Sequence, residues 1–554
     1  MSTAKRRRRD KSINRVADDF FWTLQNRLLL PQLSAEGNAE WLGALNSFER
    51  RARRIKFGRL SGQGRITHEL LLDAIEFHER HVIAGHIEED LNSIDSILLT
   101  IWSWAQVVPR RNIREWREVI AQLADAGRFV EEYGELLVNG LEGGRIQPVD
   151  VVRPCIETLG ALSSRSKRRN PLLQLRDELE TSQAGKKQLP ELRRQLDEAL
   201  FQVALPAHRM LRRFLERVYL PLAPRKPESP DRYLHYLRFH LGSDYDLEDL
   251  MIGASRDVER LHDQLESTAG KVSPRMASFS AFMRSLNRRR DAAYSSPKEL
   301  LADAREKIDE ARALARNMVP IPSDRITVEP VPTTREAMVE ASYVPTDATS
   351  GRFQLNTGPL FGKNRRYEMA TLATHEVYGG HHLQAVYAKK QTDLPDFRRN
   401  AVFLVYDEGW AMYAEHWRDS KGGYSPYDRI GYLMQAIRAS AMAVVDVGVN
   451  TGMMTPRRAR QYLAAAIFES EEAMKARVNR VLNWPGQGST YFVGKSEILG
   501  ARDDARRTLG RHFDERLFHA KVLRLGSVPP KILRREIATW ALRSRSRKRT
   551  SARR

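Results

Sequence analysis

The sequence predicts a mainly α-helical protein with one small β-sheet, and three observations lead there. Long stretches repeat apolar residues at spacings of three and four with charge on the opposite face, as in Ile113–Leu141 and Pro190–Val218. Strand-type runs are confined to three short pieces between 326 and 355, bounded by prolines and glycines. No run approaches the roughly 18 uninterrupted apolar residues of a bilayer-crossing helix, so no transmembrane segment is expected.

Taken in order, residues 1–15 carry seven basic side chains and one acid, and residues 543–554 carry seven basic side chains and none. Both are too charged and too poor in apolar residues to fold alone, and both are expected to be disordered basic tails. Residues 16–220 read as an N-terminal helical subdomain, with helices over Asp18–Leu30, Ile66–Ile87, Leu91–Val107, Ile113–Leu141, Pro148–Leu162 and Pro190–Val218. Pro190 suits a first helical position, and Pro206 is expected to kink or split its helix. The Pro/Lys-rich break from Pro221 to Pro230 is the subdomain boundary. Region 231–542 then opens with helices Asp246–Ala269 and Pro297–Met318. Short strands follow over Ile326–Glu329, Ala341–Val344 and Arg352–Leu355. Helices return over 365–390, 399–419, 425–449, 455–475, 491–510 and 529–542.

A chain of 554 residues, 42% hydrophobic with nine tryptophans, is long enough for a large core or several packed subdomains. Net charge is +21 and is concentrated in the two tails, which predicts weak attraction to polyanions through the basic termini. No helix-turn-helix, RNA-recognition or zinc-knuckle pattern sharpens that expectation. Cys155 is the single cysteine, which excludes internal disulfides and fits a reducing compartment. The basic N-terminus is followed by polar residues and not by an apolar core, so no secretory signal is expected and the location expected is cytoplasmic.

The chemistry concentrates in two stretches. Residues 374–384 read Thr-His-Glu-Val-Tyr-Gly-Gly-His-His-Leu-Gln, and 407–417 read Asp-Glu-Gly-Trp-Ala-Met-Tyr-Ala-Glu-His-Trp. Two imidazoles and one carboxylate with an open fourth position are the ligands of a catalytic zinc. Two histidines four residues apart on a regular helix face the same way, about 6 Å apart along the axis. His375 and His381 are six apart, which leaves them about 120° from facing each other. His382, seven on, faces correctly but lies about 10 Å along the axis. Gly379 and Gly380 resolve this, because glycine tolerates bulges and positive φ. A two-residue bulge there moves His381 into ligand position and keeps Glu376 beside His375. A different bulge would present His382 instead. His375, His381 and Glu408 are therefore the expected ligands of one zinc ion per chain, with His382 in reserve, and Glu376 is the expected general base.

The stretch from His375 to Gln384 resembles the HExxPGHHLQ motif of the bacterial family called domain of unknown function 885. That family is similar to thermolysin-like and oligopeptidase-like metallopeptidases, of the gluzincin-like clan. The likeness continues through Glu408–Glu415, through Arg438-Ala439 and Val444–Gly448, through Trp484–Gln487, Tyr491 and Gly494, and through Phe518-His519 to Gly526. It implies a multi-helix metallopeptidase-like fold with the small sheet next to the helix that carries His375 and Glu376. In such enzymes an edge strand holds extended substrate by main-chain pairing, and Arg352–Thr357 is the candidate edge, the alternative being a surface hairpin. The resemblance also implies that Tyr491 stabilises the oxyanion, with core packing as its alternative role. The chain departs from the family pattern at Gly379 (proline), Asn450 (histidine), Arg477 (glutamate) and Ala520 (aspartate).

Around the ligands, Glu415 lies seven residues after Glu408 and could orient a ligand histidine or form an ion pair. Arg438, Arg477 and Arg480 could each clamp a substrate carboxylate or serve in ion pairs. Asp446, in an apolar run, is expected to be buried, paired and near the ligands. The reading is a zinc-dependent hydrolase of a peptide or other amide bond, through a metal-activated water. The alternatives are a non-catalytic scaffold docking through the basic tails, or metal-dependent chemistry on a small amino-acid-like metabolite.

Overall fold

Helices carry the fold, and the computed structural model describes residues 3–29, 32–94, 96–107, 110–182, 188–227, 229–286, 288–321, 323–332 and 339–551. The chain divides into two units, the first Met1–Ser229 with Leu482–Trp484 and the second Pro230–Val481 with Pro485–Arg554.

The first unit is all helix among its described residues. It opens with α1 (Thr3–Leu29), α2 (Ala35–Arg53) and α3 (Gly62–Ile83). Ile13, Val16, Ala17 and Phe20 recur at spacings of three, one and three on α1 and are buried. The expectation that 1–15 is disordered is corrected here, since α1 already runs from Thr3. Arginine is a good helix former, and the segment continues into a buried apolar stripe that charge content does not register. Asp10 is buried, and its carboxylate accepts from the Ser61 amide at 2.9 Å and from the Ser61 hydroxyl at the start of α3. Residues 543–551 of the second expected tail likewise continue a helix, Pro530–Ser551. Met1, Ser2 and 552–554 of the expected tails, and Leu30 of the first expected helix, lie outside the described residues.

A second cluster of the first unit packs Trp116, Phe129, Tyr133, Leu159, Leu196, Leu200 and Tyr219 from helices between 113 and 222. Pro206 does not split its helix. The preceding turn, Ala199–Ala204, widens to π geometry, so the bond that proline cannot donate is never needed. Leu215–Tyr219 does the same ahead of Pro221.

The second unit contains a three-stranded sheet of β1 (Arg325–Pro330), β2 (Ala341–Pro345) and β3 (Ser350–Leu355), in the order β1-β3-β2. β1 pairs β3 in parallel and β2 pairs β3 antiparallel. The expected edge strand is thus the central one, and β1 and β2 are the edges. The buried run Phe353–Leu355 explains the placement, since it packs with Ile308, Met369, Ala373 and Tyr378. Five helices then build the site: α4 (Arg366–Glu376), α5 (His381–Lys389), α6 (Leu404–Ser420), α7 (Pro426–Asn450) and α8 (Gln487–Leu509). By length and composition α7 passes the test for a bilayer-crossing helix, with 89% of its most apolar window buried inside the protein. α6 and α8 cross at glycines: a β-carbon on Gly494 would lie 1.9 Å from the Val405 carbonyl oxygen.

Candidate metal centre

A helix break and a helix crossing bring the site together. The chain leaves α4 at Glu376 and re-enters helix at His381, the first residue of α5. Between them Val377 and Gly380 leave helical geometry, and Gly379 takes φ 124°. The Gly379 carbonyl accepts from the Trp410 indole of α6 at 2.6 Å, and the Gly380 amide donates back to the Thr374 carbonyl at 2.9 Å. A β-carbon on Gly380 would lie 1.8 Å from the His375 carbonyl oxygen, so only glycine fits. The deviation expected at these glycines is therefore larger than a bulge. It ends one helix and starts another.

The break swings His381 onto His375, with ring centroids 4.8 Å apart and planes at 90°. From α6, Glu408 Oε2 lies 3.2 Å from His375 Nε2 and 3.5 Å from His381 Nε2. One donor atom from each of the three residues lies within 4.8 Å of the others. Zinc bonds of about 2.0–2.1 Å in tetrahedral geometry set donors about 3.4 Å apart, so both carboxylate–imidazole separations fit a metal. Among the described residues the group holds three ligands, one fewer than a closed structural site.

Burial works against charge at each of these groups, and their mutual attraction overcomes it. Hydrogen bonds to Glu408 and Glu415 hold His375 well above the usual histidine range. Glu408 raises His381, and the two imidazoles hold the Glu408 carboxyl well below the carboxylate range. Positive charge is thus favoured between the three donors, and a divalent cation would supply it in place of protons.

Each imidazole has a partner behind it. Glu415 is fully buried, and its Oε1 accepts from His375 Nδ1 at 2.6 Å, which turns Nε2 toward Glu408. His381 Nδ1 meets Gln384 Oε1 at 3.2 Å. Gln384 Nε2 reaches Asp407 Oδ1 at 3.4 Å, and the Ser527 hydroxyl donates to Asp407 Oδ2 at 3.0 Å. Burial pushes Asp407 up to about 7. Sequence reasoning missed this second chain. The spacing of three from His381 to Gln384 on one helix was a usable signal, whereas Ser527 had none.

Glu376 ends α4, is half-buried and has no hydrogen-bond partner among the described residues. Its charge acts on His375, His381 and Tyr491, which places it at the same centre. Burial, then the charges of Glu408 and Glu376, raise the Tyr491 phenol above its usual range. Gln487 Nε2 donates to the Tyr491 hydroxyl at 3.1 Å, and Arg480 Nε donates to Gln487 Oε1 at 3.3 Å.

Four expected residues fall outside the ligand group. His382 is fully buried, with Nε2 on Asp324 at 2.7 Å and Nδ1 on the Tyr343 hydroxyl at 3.0 Å, so both ring nitrogens are engaged away from Glu408. The reserve-ligand expectation is corrected: α5 begins one residue earlier, and its first turn sends adjacent side chains about 100° apart. Arg438 pairs with Glu469 at 2.8 Å and Glu368 at 3.4 Å, and Arg477 pairs with Glu469 at 2.6 Å. Asp446 accepts from the Gly486 and Ser489 amides at 3.0 and 3.1 Å, from the Ser489 hydroxyl at 2.7 Å and from Asn450 at 3.2 Å. It caps the start of α8, and supports Tyr491 through that helix and not through the ligands.

A family model described as Bacterial protein of unknown function (DUF885) matches residues 23–537. The chain belongs to this family. No curated protein matches it. A putative lipoprotein from Colwellia psychrerythraea shares the fold at a TM-score of 0.86 and 22% identity, over 98% of this chain and 100% of that one. A putative lipoprotein of unknown function from Shewanella oneidensis does so at 0.74 and 15%, over 95% and 99%. An M32 carboxypeptidase from Deinococcus radiodurans reaches 0.35 at 14% identity over 84% of this chain, too low a similarity to carry an argument. These relatives overturn the expected cytoplasmic location, since both full-length matches are described as lipoproteins. One buried cysteine and a polar N-terminal stretch constrain disulfides and bilayer crossing, and neither is an address.

Proposed function

We propose that the chain is a zinc-dependent hydrolase of peptide or other amide bonds, carrying one metal ion per chain. The observation that carries this reading is the convergence of His375, His381 and Glu408, with the charge of Glu376 acting on both imidazoles. When bound, the cation would polarise the scissile carbonyl and lower the pKa of the attacking water. His375 and His381 would hold it through Nε2, and Glu408 through a carboxylate oxygen. Glu415 and Gln384 keep the two rings in the tautomer that leaves Nε2 free. The Glu376 carboxylate accepts the proton of the water and passes it to the leaving amine. The Tyr491 phenol, kept protonated by its surroundings, donates to the oxyanion that develops on the substrate.

Purified protein should contain about one zinc per chain, and His375→Ala or Glu408→Ala should abolish that content, because the three donors are not redundant. Turnover of a peptide library by the metal-loaded protein completes the test. Folded protein with no affinity for a divalent cation would exclude the reading and leave a scaffold role.

A further inference from the structure

A cleft of about 500 Å³ opens in the first unit between α1 and the end of α2. Lys11 and Arg15, one turn apart on α1, and Arg51 and Arg54, at the end of α2, line it over Val16 and Ile55. Arg51 is paired with Asp19, whereas Lys11, Arg15 and Arg54 make no ion pair among the described residues. Three positive charges therefore face one cleft without compensation.

The fold does not require this. The stability of α1 and α2 comes from the stripe of Ile13, Ala17, Phe20, Leu45, Phe48 and Ala52 beneath. Cations in the last turn of α2 complement the helix dipole, but that argument does not reach Lys11 and Arg15 on a different helix. Uncompensated like charges in a shared cleft repel one another, and a bound anion removes that cost. The volume suits a small molecule and not a folded partner. Guanidinium forks and an ammonium match phosphate oxygens in charge and geometry.

We propose that this cleft binds a small molecule bearing a diphosphate or triphosphate chain, whose three or so negative charges balance Lys11, Arg15 and Arg54. Val16 and Ile55 give an apolar floor for the part that is not phosphate. The site is independent of the hydrolase reading and uses none of its residues.

Calorimetric titration of the full chain at physiological ionic strength tests this, with pyrophosphate, ATP, inorganic phosphate and a single-stranded oligonucleotide as probes. Pyrophosphate should bind once per chain and more tightly than phosphate. Arg15→Ala with Arg54→Ala should weaken it by about tenfold or more, the loss expected from one or two charge-assisted hydrogen bonds. The Arg15→Lys with Arg54→Lys protein should recover part of the affinity, and Arg457→Ala with Arg458→Ala, in the second unit, should change nothing. ATP binding tighter than pyrophosphate identifies a nucleotide, and equal binding identifies the bare phosphate chain; both support the site. No saturable binding of either, an affinity that the double substitution leaves intact, or binding of the oligonucleotide alone would overturn it.

Discussion

Replacing Glu376 with glutamine removes a proton acceptor without removing a ligand, since its carboxylate lies outside the group formed by His375, His381 and Glu408. Metal content should stay near one per chain while turnover of a cleaved peptide falls by about two to four orders of magnitude. His381→Ala should lose metal and activity together. His382→Ala tests a different bond network. It leaves Asp324 and the Tyr343 hydroxyl without their shared partner in a buried setting, so metal should be retained. The melting temperature should fall instead, for a cost of about 1–3 kcal/mol. Metal loss in this variant would contradict the assignment of its ring nitrogens.

The short connection between α4 and α5 decides whether two histidines can share a metal. Gly380→Ala places a methyl group against the His375 carbonyl, and Gly379→Pro demands φ near −65° where the chain takes 124°. Each should cost about 2–4 kcal/mol and abolish metal binding, while far-ultraviolet circular dichroism keeps its helical signal. A second device joins three helices. Asp257, on the helix Leu247–Val272, meets Lys495 of α8 at 2.8 Å and the Ser440 hydroxyl of α7 at 2.8 Å. Burial opposes the Asp257 charge, but Lys495 and the other donors outweigh it and lower its pKa to about 2. A lowered carboxylate stabilises the fold at pH above its unfolded value near 4, and that contribution is lost as pH falls through 2. It is on the order of 2 kcal/mol. Lys495→Met should remove this part of the acid dependence, read from denaturant midpoints between about pH 5 and pH 2.

For the molecule as a whole, the ends of the chain are the sharpest revision. Deleting 1–12 removes the Asp10 carboxylate and leaves the Ser61 amide and hydroxyl without their buried acceptor. The melting temperature should fall, for a loss of about 1–3 kcal/mol. Deleting 544–554 removes Arg545 and Ser546, which are exposed, and should leave it unchanged. Equal effects of the two truncations on melting would show that α1 contributes nothing before Ile13. Location is also a property of the whole chain, and the relatives that share the full fold move the expectation away from the cytoplasm.

Much was legible from local pattern. The sequence by itself determined the mainly helical class, because apolar spacings of three and four record which face is buried whatever it is buried against. It determined the three short strands and pointed to the candidate metal group, because imidazole and carboxylate chemistry is local to the side chain. Helices such as Ala35–Arg53 and Glu515–Leu525 escaped, since their short stripes are interrupted by glycine, asparagine or charge and become helical through packing. Tertiary structure alone decided the rest. It made β3 central, because strand order is set by neighbours distant in sequence. It ended α4 outright, because Trp410, thirty-one residues after Gly379, anchors the open turn. It brought His381 and not His382 to His375 and Glu408, because Asp324 and Tyr343 lie 58 and 39 residues before His382 and claim both of its nitrogens. Contacts of that separation leave no period or spacing to read.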